Sequence, residues 1–488
     1  MSVSEKHPLY GEYAPDWKKL RDVIRGERAV KDAGTQYLPA TAGMVHDGMQ
    51  SATSPGFIAY AAYRTRAHFR EIVSDSIRTH LGAMHHKPAV IELPTQLEPL
   101  RENATFQGES LQMLLQRVNY EQLAVGRCGL LADLPLVADI TAVPQICLYP
   151  AEKIINWDDG PEDGSMLANL NLVVLDESGY ERIGTAWDMV EKYRMLLLGE
   201  LTENEPQGAG TYAMIRYDED AAQEAITPMV KGTSLDYIPF TFINAVDVVV
   251  DPDKPPLNGL ADINLTMYRA DADYRQNLHE QAQDTLIITG GDPEGDYRVG
   301  AQGGIVLPTG GKAEYIGVRG AGLSEMRLSI ENDKSDAAQI GGALMDSVSR
   351  ERESGQALAI RVSARTAALN QIAIAGAHGL EQHLRQIATW IGADPMAVQV
   401  EPNLDFIDDR LEARAIGEWM AAISQGAPMS KQTLHTLMQD HGVTEMTFDE
   451  EIKQIEAEEE LEMLKPMIAA PGEGGAVEDE KPEDEGDE

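Results

Sequence analysis

Residues 260–284 read LADINLTMYRADADYRQNLHEQAQD, residues 290–311 read GGDPEGDYRVGAQGGIVLPTGG, and residues 323–346 read LSEMRLSIENDKSDAAQIGGALMD. The first stretch lacks glycine and proline. Its Ile263, Met267, Ala270, Tyr274, Leu278 and Ala282 fall three or four apart, so the spacing predicts a helix about 36 Å long with one apolar stripe. The second stretch carries eight glycines and two prolines, which ends that helix and leaves at most a short strand around Ile305 to Leu307. In the third, Leu323, Met326, Ile330, Ala337, Ile340 and Leu344 share a stripe while Glu325, Arg327, Glu331, Lys334 and Asp336 lie elsewhere, so a second long helix is expected. The order is helix, small glycine-rich module, helix.

Downstream, residues 347–355 form a short polar stretch holding Arg350, Glu351, Arg352 and Glu353. A third long helix is expected over 356–391, with Leu369, Ile372, Leu380, Leu384, Ile387 and Ile391 on its apolar face. Residues 408–464 read as a small helical unit in which Leu411, Ile416, Trp419 and Ile423 pack together and Leu434, Leu437 and Met438 form the next face. The tail beyond Pro471 is acidic and rich in glycine and proline, a composition that predicts disorder.

Upstream, helical spacing runs from Asp16 to about Lys87, interrupted by a loop over 34–56, and another helix is expected over 110–126, followed by the apolar run 130–136. The character then changes. Residues 170–175, 193–198, 212–217 and 238–243 are short apolar or alternating runs, and 202–210 would join two of them as a hairpin-like loop. Strands follow one another without helices long enough for parallel crossovers, so the fold class is α+β with a mainly antiparallel sheet region.

A chain of 488 residues exceeds what one core organises and suggests roughly three domains. Its 40 basic against 80 acidic residues leave a net charge of −40, and only part of the excess lies in the tail. Passive coating of nucleic acid is excluded, because counterion release needs clustered Lys and Arg. An acidic surface serves solubility, and equally a passage through which DNA slides without sticking. Cys128 and Cys147 have neither a disulfide-framework nor a metal-ligand spacing, which fits a reducing cytoplasm. The first residues lack an apolar leader core and no window approaches a membrane span, so neither secretion nor membrane insertion is expected.

Several stretches approach chemical motifs and stop short. Residues 308–313, PTGGKA, lack the earlier glycine of a phosphate-binding loop, and Ala313 stands where a magnesium-binding hydroxyl belongs. His279-Glu280 opens like a zinc-protease helix, but position 283 is glutamine instead of the second imidazole. Gly232-Thr233-Ser234-Leu235-Asp236 ends on an aspartate where a nucleophile elbow needs glycine. His80, His85 and His86 cluster near a helix end, and the pairs Asp158/Asp159 and Asp251/Asp253 sit among turn residues. No catalytic, cofactor or metal residue is therefore assigned.

The order of elements then carries more than any motif. The relevant residues are Trp17, Arg21-Asp22, Gly26, Val30-Lys31, Gly34 and Tyr37-Leu38-Pro39, then Tyr60, Tyr63, Arg64 and Ala67. The run GRCGLLADLP at 126–135, Tyr149, Ile154-Ile155-Asn156-Trp157, Ile238-Pro239-Phe240 and PPLNGLAD at 255–262 complete the set. In these, over about residues 10–440, the chain resembles the portal proteins of tailed bacteriophages. It resembles in particular a group described from sequence as a domain of unknown function with portal-like features.

That resemblance implies a homo-oligomeric ring, usually of twelve subunits, that forms the DNA channel at a single capsid vertex for genome packaging, retention and ejection. It implies a wing over 1–260, a first stem helix over 261–288, a clip over 289–318, a second stem helix over 319–346 and a tunnel loop over 347–355. A long wing helix over 356–395, a crown over 396–466 and an acidic tail over 467–488 follow. Arg350 and Arg352, alternating with Glu351 and Glu353, are the candidates for passing contacts with phosphates, the alternative being salt bridges among themselves. Lys312 and Arg319 are weaker candidates for DNA or motor contact. The implied partners are double-stranded DNA, the terminase large subunit, the major capsid protein and scaffold, and an adaptor or head-completion protein. The place is the virion, with the host cytoplasm during assembly.

Two other classes remain in view. A packaging ATPase would need a complete phosphate loop and an acid for magnesium. Another virion or scaffold protein would be an elongated, largely helical oligomer of low order.

Overall fold

The computed structural model describes residues 2–134, 143–160, 170–198, 201–202, 205–206, 211–281, 285–291, 305–316, 321–340, 355–406, 421, 430–440, 444 and 446–457. Contacts divide the chain into one unit over 1–406 and another over 407–488.

Pro8 opens α1 (Pro8–Ile24) at the first turn, where its missing N–H has no helical partner to lose, and the His7 side chain caps the N–H of Leu9. Trp17, Leu20 and Val23 on its inner face are completely buried. α2 (Glu27–Asp32), α3 (Ala42–His46), α4 (Pro55–Arg66) and α5 (Ile72–Met84) follow. Beyond β1 (Val90–Glu92) and α6 (Pro99–Glu102) comes α7 (Leu111–Val125). Its ends are set by chemistry legible in the sequence: the Ser110 side chain caps the N–H of Met113, and Gly126 turns the chain at φ +82°. Leu111, Leu114, Leu115 and Val118 of α7 lie at the centre of the core.

The strands come next: β2 (Arg127–Asp133), β3 (Gln145–Pro150), β4 (Ile154–Asp158), β5 (Leu172–Asp176), β6 (Gly179–Ile183), β7 (Ala186–Val190) and β8 (Lys192–Leu198). The short β9 (Leu201–Thr202) and β10 (Glu205–Pro206) pair with each other, and β11 (Tyr212–Asp218), β12 (Ala221–Ala222) and β13 (Phe240–Asn244) end the series. Every pairing is antiparallel, in a five-stranded sheet ordered β12-β11-β8-β5-β4, a three-stranded sheet ordered β13-β2-β3, and separate two-stranded ribbons. Arg194 of β8 joins the two larger sheets, reaching Asp133 of β2 at 2.5 Å and Glu177 at 2.9 Å.

α8 (Asn258–Gln281), β14 (Thr285–Thr289), β15 (Lys312–Ile316), α9 (Ala321–Ile340), α10 (Gly355–Ile391) and β16 (Gln399–Glu401) complete the first unit, β16 pairing with β1. α10 lies close against β13 and α7 because Gly379 and Gly376 present no side chain there. A Cβ at 379 would stand 2.5 Å from Ile243 Cγ1, and one at 376 would stand 2.4 Å from Asn119 Nδ2. In the second unit, Lys431–Asp440 and residues 448–457 are helical.

The α+β class and the antiparallel pairing agree with the sequence reading. Elsewhere the structure differs. No strand forms at Ile305 to Leu307; the ribbon of the glycine-rich module is β14 with β15, on either side of it. The span 261–288 read as helix is strand from Thr285, since Thr285, Ile287 and Ile288 are β-branched. The 34–56 loop contains α3, capped by Thr41. α1 starts before Asp16 and runs through Pro15, with Tyr10 and Trp17 packed edge to face at 5.5 Å across the proline. The β6–β7 ribbon was not anticipated at all.

Candidate functional site

The element pair that decided the sequence reading is α8 with α9, and its geometry begins at the root of α8. Lys19 of α1 reaches Asp262 at 2.7 Å, Arg269 Nε donates to the Tyr37 carbonyl at 2.8 Å, and the Tyr63 hydroxyl donates to Asp273 Oδ1 at 2.6 Å. The backbone N–H of His68 donates to Asp271 Oδ2 at 2.8 Å, Arg66 pairs with Gln276, and Phe69 meets Tyr268 edge to face at 5.8 Å. Leu260, Ala261, Leu265, Met267, Tyr268 and Ala272 are buried, whereas Leu278, His279 and Glu280 are exposed. The helix is tied to the N-terminal region from Asp262 to Gln276, and its exposed stretch is residues 278–280.

α9 packs on the far end of α8. Asn277 Nδ2 lies 3.6 Å from Met326 Sδ, and Leu323, Met326 and Ile330 are half-buried, but Ala337 is the one fully buried side chain described on this 20-residue helix. Leu328 remains 56% exposed. The connecting ribbon runs in register from Thr285 opposite Ile316 to Thr289 opposite Lys312.

Charge on the pair is negative. α8 holds Asp262, Asp271, Asp273 and Glu280 against Arg269 and Arg275, and α9 holds Glu325, Glu331, Asp333 and Asp336 against Arg327 and Lys334. The cations are partly spent on the chain itself, Arg275 on Asp271 at 2.6 Å and Lys334 on Glu331 at 3.6 Å.

Of the residues singled out from sequence, Lys312 is exposed at the first position of β15. Arg319, Arg350, Glu351, Arg352 and Glu353 lie outside the described residues. Residues 308–311 form a turn in which the Gly311 N–H donates to the Pro308 carbonyl at 2.9 Å. A strand follows that turn, whereas a phosphate loop opens a helix. His80, His85 and His86 do not converge: His80 neighbours Ser76 at 3.4 Å, His85 meets Asn119 at 2.9 Å, and His86 meets Asn403 at 3.0 Å. Burial lowers the His85 pKa, and the Asn119 contact opposes this in part. Among the described residues no group of three or more His, Cys, Asp or Glu side chains could hold a metal ion.

A family model described as "Domain of unknown function (DUF4055)" matches residues 256–391. That segment starts just before α8 and ends on the last residue of α10, so it is the helix, ribbon, helix and long-helix unit that the family model describes. Among solved structures, a chain from the neck of a native GTA particle computed with C12 symmetry is 14% identical. The match covers 82% of this chain and 98% of that one, with a TM-score of 0.39. A chain from the neck of an empty GTA particle computed with C6 symmetry is likewise 14% identical over 82% and 97%, with a TM-score of 0.40. Likeness at that level does not establish a common fold. No curated protein matches.

Residues 126–134 of the run GRCGLLADLP pack into the core or against neighbouring segments. Arg127 is wholly buried, its guanidinium 4.4 Å from the rings of both Trp157 and Phe242, and its Nη2 donates to the Val250 carbonyl at 2.5 Å. Burial pushes its pKa down, and Asp251 and Asp253 pull it partly back. Gly126 faces Pro255, whose Cα would stand 3.0 Å from an added Cβ, and a Cβ on Gly129 would overlap Phe240 at 2.2 Å. These residues hold the segment leading into α8. Sequence reading noticed the run but not its burial, because an arginine between two aromatics 30 and 115 positions away has no local signature.

No helix among the described residues is long and apolar enough to cross a membrane.

Proposed function

We propose that this chain is the subunit of a phage-type portal ring, in which α8 and α9 stand as the channel wall, the β14–β15 ribbon is the clip, and α10 is the long wing helix. One observation carries the reading: α8 is anchored from Asp262 to Gln276 by six contacts to the N-terminal region, while α9 has Ala337 as its one fully buried side chain among the described residues. Helices in proteins owe most of their stability to the tertiary packing of one face. A helix with so little packing calls for neighbours, and identical subunits around an axis supply them on both flanks.

The function then follows from charge. A wall whose helices each carry more acids than bases repels phosphates evenly, so duplex DNA finds no deep resting place and can be driven through by an external motor. Arg350 and Arg352 provide passing contacts at the tunnel loop, and Lys312 and Arg319 contacts near the clip. The clip offers the surface for the terminase large subunit and later for an adaptor protein, the wing faces the capsid protein and scaffold, and the chain resides in the virion. It has no catalysis of its own.

The deciding experiment is mass in solution by light scattering together with particle images of the purified full chain. A ring with an axial opening is expected; particles without one, or a low-order elongated oligomer, overturn the proposal. ATP turnover above background by the same preparation overturns the absence of catalysis.

A further inference from the structure

The strands β5 and β8 of the five-stranded sheet continue outward as the ribbon β6–β7. The last sheet pair is Asp176 opposite Tyr193, and the ribbon resumes with Gly179 opposite Val190. Ser178 clamps the junction, accepting the Lys192 N–H at 3.1 Å, and the ribbon closes through a two-residue loop with Gly184 at φ +66°. Tyr180 lies directly opposite Met189, and Arg182 directly opposite Trp187, so all four share one face. Tyr180 is 72% exposed, Trp187 63% and Met189 58%, while Trp17, Trp157 and Trp390 are buried. Arg182 makes no ion pair among the described residues, whereas Glu181 on the opposite face is held by Lys192 at 2.5 Å. A two-stranded ribbon is marginal alone, and this one presents the residue types that anchor interfaces, in a chain of net charge −40.

A receptor of matching character exists elsewhere on the same unit. The turn after β13 and the outer face of α10 enclose a groove of about 530 Å³ lined by Val246, Asp247, Val248, Gln371, Ile374 and His378. Val246 is 44% and Ile374 49% exposed. Asp247 is fixed through its Oδ1, which accepts from Asn244 Nδ2 at 3.0 Å and from the Val249 N–H at 3.2 Å, and its Oδ2 has no partner among the described residues. The groove is therefore apolar, preformed and carries one carboxylate, the complement of an aromatic face carrying one guanidinium.

We infer that the Tyr180/Arg182/Trp187/Met189 face of the β6–β7 ribbon docks into the Val246/Asp247/Ile374 groove of a second copy of this chain, with Arg182 paired to Asp247. Because the ribbon and the groove are different surfaces, the contact is head to tail, and contacts of that kind close into rings when the rotation allows. The two aromatic rings bury roughly 150–250 Å² each, short of the ~800 Å² that each partner gives to a stable interface. The ribbon is thus a latch that supplements the contacts along α9. This inference rests on the ring reading and names its lateral contact.

The test uses the full chain and begins with the wild type, whose assembly is read by native mass spectrometry and sedimentation. Trp187→Ala should raise the free-subunit fraction about tenfold at fixed concentration, with circular dichroism and melting of the subunit unchanged, because the Trp187 side chain is 63% exposed. Arg182→Glu and Asp247→Arg should each impair assembly, and the two combined should restore it. If the wild type forms rings and all three variants assemble as it does, the latch is overturned and the ring reading stands. If single charge variants impair assembly and the combination is no better, the Arg182–Asp247 pairing is overturned. A wild type that never assembles overturns both readings.

Discussion

The Tyr63 hydroxyl donates to Asp273 Oδ1 at 2.6 Å across 210 positions of sequence, tying the end of α4 to the middle of α8. It joins a buried side chain to an exposed one, Tyr63 being only 3% exposed. Burial raises the phenol pKa first and the Asp273 carboxylate raises it further, so the contribution to stability is whole below the unfolded phenol value of about 10 and declines as pH rises above it, where the unfolded chain ionises first.

Tyr63→Phe should remove a hydrogen bond to a charged acceptor while leaving the ring's packing, and should lower stability by about 1–2 kcal/mol, read as a shift in the urea midpoint at pH 7. The same change at pH 11 should matter less. An equal shift at both pH values would mean that packing and not the bond is lost.

Arg127 is a buried cation between Trp157 and Phe242 with one direct hydrogen bond, to Val250. Arg127→Lys loses both the planar stacking and the fork geometry, and Arg127→Ala additionally opens a cavity, so each should destabilise by roughly 3 kcal/mol or more. Arg127→Met keeps the volume and removes the buried charge; it should lie within about 1 kcal/mol of the wild type. Chemical denaturation of the three variants side by side gives the ordering.

His383 on α10 is fully buried, with Nδ1 3.1 Å from Thr241 Oγ1, and burial depresses its pKa to about 3. The unfolded chain therefore binds a proton below the ordinary value of 6.5 that the folded chain refuses. Its contribution is fully present above pH 6.5 and is lost as pH falls from there toward 3, at about 1.4 kcal/mol per pH unit. His383→Leu should flatten the stability profile between pH 6.5 and 4 by that slope, and an unchanged profile would locate the acid sensitivity elsewhere.

Arg350→Ala with Arg352→Ala should leave subunit mass and ring formation as in the wild type while lowering the yield of DNA-filled particles. Packaging assayed in a complementing system measures this, and normal filling with both arginines absent removes their proposed role.

How much of this was legible follows the range of the interactions involved. The α10 boundaries expected at 356–391 and found at Gly355–Ile391, and the α7 ends set by Ser110 and Gly126, were readable because caps and a 3.6-residue repeat are properties of neighbouring residues. The strand of the glycine-rich module was misplaced because glycine content marks where regular structure ends and does not say which flanking residues pair. The burial of Arg127 and the exposed face of the β6–β7 ribbon were invisible for opposite reasons. A charged residue reads as surface whether or not Trp157 and Phe242 enclose it, and a tryptophan reads as core whether or not anything covers it.

By itself, then, the amino-acid order determined the element types, the apolar stripes of the long helices, the glycine-laden break between α8 and α9, and the acidic balance, all of which depend on residues a few positions apart or on composition. Only the tertiary structure decided that β2 pairs with β13 more than a hundred positions later, that α8 is tied down as far as Gln276 and exposed at 278–280, and that Trp187 faces outward. Local dihedral preference and periodicity specify a face but not its partner; which faces meet is settled by contacts between distant parts of the chain, whose energies no short window contains.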